Sequence, residues 1–94
     1  MKQIVNGIRY DTEKATRIAD DRFWDGHNFE RYGRNKYLYK SKNGRFFELF
    51  ETCHQGEVDH IMPLSIEEAK ILYEELREHY VEWEDAFGEE PEEA

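Results

Sequence analysis

The residues of this 94-residue chain that could do chemistry are four histidines (His27, His54, His60, His79), one cysteine (Cys53) and an unusual supply of carboxylates. No Gly-rich phosphate loop, His-Glu-x-x-His pair or nucleophile elbow is present, so no motif for phosphoryl, metal-hydrolytic or acyl-transfer chemistry stands out. A chain this small also has little room for a deep pocket, and the expectation is a protein that is not an enzyme. Metal binding is the sharper possibility. If Gln55-Gly56 makes a two-residue hairpin, Glu51 opposes His60 and Cys53 opposes Val58. Glu51, Cys53 and His60 would then share one sheet face, with Cys53 and His60 diagonal neighbours roughly 7–8 Å apart. A thiolate and an imidazole so placed can converge on Zn²⁺, and Asp25 and His27, flanking Gly26, would complete a soft ligand set. Such a staple would help a domain with a small core. The plainer alternative makes Cys53 a small buried hydrophobe and the histidines solvated turn and helix residues.

Two further groups of side chains suggest binding. Tyr37, Tyr39, Phe46 and Phe47 interleave with Lys36, Lys40, Lys42 and Arg45, the composition of a stacking platform for single-stranded nucleic acid. The same alternation is produced when the rings face a core and the cations face water, which is the more ordinary outcome. The second group is Glu67, Glu74, Glu75, Glu78, Glu82 and Asp85, which would line the outer face of a C-terminal helix. Their three- and four-residue steps put carboxylates roughly 5–6 Å apart, close to the spacing of phosphates along a strand.

Charge separates these groups. The whole chain carries −9 at neutral pH. Residues 1–62 hold 11 basic against 10 acidic side chains, a net of +1, while residues 63–94 hold 2 against 12, a net of −10. Such a field governs partners and encounter rates. It disfavours direct nucleic-acid binding, because phosphates would be repelled by the C-terminal third, and it suits a basic surface on another protein. Aromatics make up 15% of residues, too many for a disordered chain. Apolar runs are too short to span a membrane, no signal-peptide core follows Met1-Lys2-Gln3, and one cysteine precludes an internal disulfide. A cytoplasmic protein is expected.

The elements that must position these residues follow from periodicity and turn chemistry. Asn6-Gly7 predicts a hairpin over 2–10, and Asp11 and Thr12 could cap a short helix near 12–21 carrying Ala15, Ile18 and Ala19. Residues 23–35 read as an ordered loop with docked aromatics. Strands are expected over 36–41, 45–53 and 57–62, with Asn43-Gly44 turning the first pair and Pro63 ending the last strand. Ser65 with Glu68 forms a capping box. Behind it Ala69, Leu72, Leu76, Tyr80, Trp83 and Phe87 make an apolar stripe, predicting one helix over 66–87, about 33 Å long, stopped by Gly88 and Pro91. The expected architecture is α+β in the order ββαβββα: one domain over residues 1–88, then a disordered acidic tail over 89–94.

Three stretches resemble a known group. Asn6-Gly7-Ile8-Arg9-Tyr10-Asp11-Thr12-Glu13-Lys14-Ala15, the run from Tyr37 through Asn43-Gly44 to Phe47, and Ile61-Met62-Pro63-Leu64-Ser65-Ile66-Glu67-Glu68-Ala69 are similar to short proteins of Gram-positive bacteria, their phages and mobile elements. Some small acidic proteins of that kind are anti-CRISPR inhibitors of the RNA-guided nuclease Cas9. The pattern covers about a third of the chain and contains no catalytic motif. The resemblance implies a stoichiometric inhibitor in the bacterial host cytoplasm. It would bind guide-loaded Cas9, whose channels are positively charged, and block target-DNA binding or loading. The cysteine and histidines lie outside the shared pattern, so the resemblance does not extend to zinc. Competing expectations are a zinc-stabilised adaptor of a mobile element that binds another host protein, and a single-strand binder using the basic and aromatic sheet face.

Overall fold

The structure, a computed structural model, describes residues 1–21, 34–52 and 56–94. It is an α+β fold with a two-stranded hairpin, a five-stranded antiparallel sheet and two helices. Strands β1 (Lys2–Val5) and β2 (Ile8–Asp11) form the hairpin. The larger sheet contains β3 (Thr16–Asp20), β4 (Arg34–Lys40), β5 (Phe46–Thr52), β6 (His60–Leu64) and β7 (Glu78–His79) in the order β6-β5-β4-β3-β7. Helix α1 spans Ile66–Glu75 and α2 spans Trp83–Phe87.

Each face of the larger sheet is covered. On one side Tyr37, Tyr39, Phe47, Leu49 and Ile61 are buried with Tyr10 of the hairpin, and Val5, Ile8 and Ala15 pack against them. Phe47 is fully buried, edge-on to Tyr10 and stacked on Tyr39, both at 5.3 Å between centroids. On the other side Ile18, Ala19, Leu38 and Phe46 meet Ala69, Leu72, Tyr73, Leu76, Ala86 and Phe87 of the helical layer. Asn6 and Gly7 take positive φ (53° and 77°) between the paired Val5 and Ile8, the geometry a two-residue turn requires. The connection at Asn43-Gly44 is longer: Lys40 pairs with Phe46, and among these residues Gly44 takes the left-handed conformation at φ 82°.

The helix expected near 12–21 is instead a turn and a strand. Asp11 Oδ1 accepts the Glu13 N–H at 3.0 Å, and the Lys14 N–H reaches the Asp11 carbonyl at 3.2 Å. Asp11 therefore closes a local turn rather than opening a helix. Ten residues with three apolar positions are marginal as a helix, whereas β4 offers a free edge to pair with. A register shift between Arg17 and Ala19 then lets both Ile18 and Ala19 face the helical layer. The loop expected over 23–35 lies mostly outside the described residues, although β4 already includes Arg34 and Asn35.

Pro63 does not end its strand; it sits inside β6, opposite Phe47. Strand β6 is an edge, and both backbone polar groups of Ile61 bond outward to the Gln3 side-chain amide (N–H to Oε1 3.0 Å, Nε2–H to carbonyl 3.2 Å). Two residues on, the Pro63 nitrogen points the same way, where the ladder needs no donor.

The single C-terminal rod is also replaced. Helix α1 opens as predicted: Ser65 Oγ accepts the Glu68 N–H and Glu68 Oε1 accepts the Ser65 N–H. It stops at Leu76, whose φ and ψ of −82° and 138° are extended. Glu78 and His79 then add to the edge of β3, and the Tyr80 N–H bonds the Ile18 carbonyl at 2.8 Å. The His79 ring stacks on Tyr73 at 3.9 Å, and its Nε2 lies 2.7 Å from the Tyr73 carbonyl, one of the acceptors a helix C-terminus leaves open. The reversal brings Trp83 and Phe87 edge-on to Tyr73, at 5.5 and 5.6 Å. Closing β3 and building this ring cluster both require the break. Helix α2 ends at Gly88 in the left-handed conformation, φ 73°.

Candidate functional site

The six acidic residues are all exposed, but they occupy three elements rather than one face of one helix. Glu67, Glu74 and Glu75 lie on α1, Glu78 on β7, Glu82 at the N-cap of α2 and Asp85 within α2. None of the six side chains makes a hydrogen bond or ion pair among the described residues, whereas Glu89 is paired with Lys70. No two of the three carboxylates on α1 are three or four residues apart, and the steps 74–78, 75–78 and 78–82 cross from one element to the next, so the phosphate-like spacing is lost over most of the set. What persists is a stepped surface of uncompensated negative charge.

The proposed zinc residues fare differently. Asp25, His27 and Cys53 lie outside the described residues. His60 pairs with Phe50, one residue from the expected register, and Glu51 falls on the opposite face, where its Oε1 accepts the Tyr37 hydroxyl at 2.8 Å. Because side chains alternate, that one-residue slip separates Glu51 from His60. The His60 ring instead packs on Phe50 at 5.1 Å, with Nδ1 3.1 Å from the Val58 carbonyl. The β5–β6 connection is longer than two residues: Asp59 Oδ1 accepts the Thr52 N–H at 2.8 Å and Glu57 Oε1 accepts the Thr52 hydroxyl at 2.6 Å. Among the described residues no group of three or more His, Cys, Asp or Glu is placed to hold a metal ion.

The stacking platform is occupied from within. Tyr37, Tyr39, Phe46 and Phe47 are buried, divided between the two cores, and cannot receive bases while the fold is intact. Lys40 is also committed: its Nζ donates to the Ala86 carbonyl at 2.8 Å, tying α2 to the sheet.

Sequence reasoning missed a polar cluster on the hairpin side of β3. Asp20 is fully buried; Tyr80 donates its hydroxyl to Oδ2 at 2.9 Å, and Arg17 Nη1 lies 3.7 Å from the same oxygen. A buried carboxylate needs such partners, since an unpaired charge there would be expensive. Arg17 also donates from Nε and Nη2 to the Tyr39 hydroxyl, at 3.2 and 3.0 Å, with its guanidinium 4.8 Å above the Tyr37 ring. Burial, and then the bond to Asp20, raise the Tyr80 phenol above its ordinary value. On the helical side, Glu48 is raised chiefly by burial, which outweighs the opposing pull of Lys36 and His60; Glu75 and Asp21 add to the rise. The one available signal for the Asp20 cluster was Tyr80 itself, a hydroxyl-bearing ring in an otherwise apolar stripe.

No family model matches this sequence, and neither a curated protein nor a solved structure shows significant similarity to it. Among the described residues no helix is long and apolar enough to cross a membrane.

Proposed function

We propose that this protein is a non-catalytic binding module of the bacterial cytoplasm that docks its acidic C-terminal third on a basic protein surface. In its specific form the partner is Cas9 loaded with guide RNA, and the complex blocks target-DNA binding or loading. The observation behind the reading is the set of six exposed carboxylates that make no hydrogen bond or ion pair among the described residues. Maintaining like charges at that density costs stability, and a basic partner surface would offset the cost on binding. With the continuous rod absent, the contact works by charge complementarity across α1, β7 and α2, not by a ruler of evenly spaced phosphate mimics. The resemblance of the three sequence stretches supplies the identity of the partner.

The test is capture on immobilised guide-loaded Cas9 with DNA cleavage assayed in parallel. Stoichiometric, salt-sensitive binding and loss of cleavage are expected, with the triple variant Glu74→Lys, Glu75→Lys, Glu78→Lys binding at least about tenfold more weakly. Absence of both binding and inhibition removes the Cas9 assignment. Binding that is indifferent to salt and to the triple reversal removes the electrostatic mechanism.

A further inference from the structure

The protein has a positive side that the sequence does not reveal. Arg9 on β2, Lys14 in the β2–β3 turn and Lys42 in the β4–β5 turn line one cleft of about 180 Å³, together with Ser41 and Asn43. All three cations are exposed, and none makes an ion pair among the described residues. Asp11 also lines the cleft with its Oδ1 accepting the Glu13 N–H, and its charge offsets one of the three. Three cations from separate segments thus converge in a chain whose net charge is −9. Three cations against one carboxylate leave the lining with a positive surplus that attracts a small anion.

A larger cleft of about 490 Å³ adjoins the same turn, lined by Thr12, Ala15, Arg17, Tyr39 and Tyr80; Ala15 borders both clefts. Tyr39 is only 4% exposed, and its oxygen accepts two hydrogen bonds from Arg17. Its own O–H has no acceptor among the described residues, although it lines the cleft. On the wall of an open cleft, that proton is available to a ligand oxygen or nitrogen. Tyr80, 57% exposed with its hydroxyl held by Asp20, lines the same cleft.

We propose that these adjoining clefts form a site for a small ring-bearing phosphomonoester, the chemical class of the mononucleotides. The phosphate lies among Arg9, Lys14 and Lys42, where charge-assisted hydrogen bonds favour a dianion. The ring-bearing remainder occupies the larger cleft, accepting the Tyr39 proton and resting against Tyr80. A long polyanion is disfavoured, because its continuation would meet the field of the −10 C-terminal third.

Titration of the full chain with adenosine monophosphate, followed by amide chemical shifts, tests the site. Saturable shifts are expected at Lys14, Ala15, Ser41 and Asn43. Adenosine and inorganic phosphate should each bind at least about tenfold more weakly, as should the monophosphate to the double variant Lys14→Gln, Lys42→Gln. Neither lysine side chain makes a hydrogen bond or ion pair among the described residues, so that variant keeps the fold. Tyr39→Phe should weaken the monophosphate while leaving inorganic phosphate unchanged. The charge reversals on Glu74, Glu75 and Glu78 should leave monophosphate binding intact, which separates this site from the docking surface. Non-saturating shifts, equal binding of adenosine and its monophosphate, or full affinity in the double lysine variant would overturn the proposal. So would tighter binding of an oligoadenylate without a terminal phosphate.

Discussion

Replacing Tyr80 with Phe probes the break in the C-terminal helix directly. In a continuous helix over 66–87, Tyr80 would be one apolar contact in a stripe, and removing its hydroxyl would change little. In the structure that hydroxyl donates at 2.9 Å to a carboxylate with no solvent exposure. Hydrogen bonds to charged groups contribute about 1.5–3 kcal/mol, and the 57% exposure of Tyr80 places this one toward the lower end, at about 1.5–2 kcal/mol. For a domain of this length each kcal/mol moves the midpoint by about 4–8 °C, so Tyr80→Phe should melt roughly 6–16 °C below the parent. Urea denaturation followed by circular dichroism gives the free energy. A double-mutant cycle with Asp20→Asn isolates the pair, with a coupling of at least about 1 kcal/mol expected. A loss under about 0.5 kcal/mol, the scale of an ordinary surface change, together with additive single mutants, would refute the Tyr80–Asp20 bond and the path of the chain through β7.

Two other perturbations test the helical side of the sheet. Glu48 holds its proton to a higher pH in the folded chain than in the unfolded one, so between the ordinary carboxylate pKa and the raised one the native state binds more protons and stability falls as pH rises. Glu48→Gln should therefore be more stable than the parent at neutral pH and lose that advantage at the acid end; urea midpoints at both pH values decide, and equal midpoints at neutral pH count against it. Ser65→Ala should cost about 1 kcal/mol by removing the cap at the start of α1. The Ser65 backbone N–H, and after it the Ser65 side chain, hold the Glu68 carboxyl below its usual range, so its contribution is present above the unfolded pKa and lost as pH falls through the folded value. An acid-insensitive difference between Ser65→Ala and the parent would sever that link.

Local chemistry made several parts of this protein legible. Asn6-Gly7 has the residues that two consecutive positive φ angles demand, and the pair stands between β1 and β2. Ser65 and Glu68 satisfy each other's backbone donors within four residues, so α1 begins where the sequence places it. The imbalance between residues 1–62 and 63–94 needs no structure at all, being a count of side chains. These are signals whose partners lie a few residues away or nowhere.

The remainder required long-range pairing. Whether residues 16–20 coil or extend depends on the edge of β4, some twenty residues distant, and pairing overrode a weak helical stripe. The register of β5 on β6 was decided by the length of their connection and by Asp59 and Glu57 reaching back to Thr52, and one residue of slip moved Glu51 to the face opposite His60. The break after Glu75 goes with the pairing of Glu78 and His79 on the outer edge of β3 and with the Tyr80 bond to Asp20, contacts made about sixty residues back along the chain. Composition determined that the protein is acidic and aromatic; only the fold decided which carboxylates stand free, which rings are buried, and that Arg9, Lys14 and Lys42 meet beside Tyr39. Backbone groups must be paired and buried charges must be answered, and those two requirements are settled across space, not along the chain.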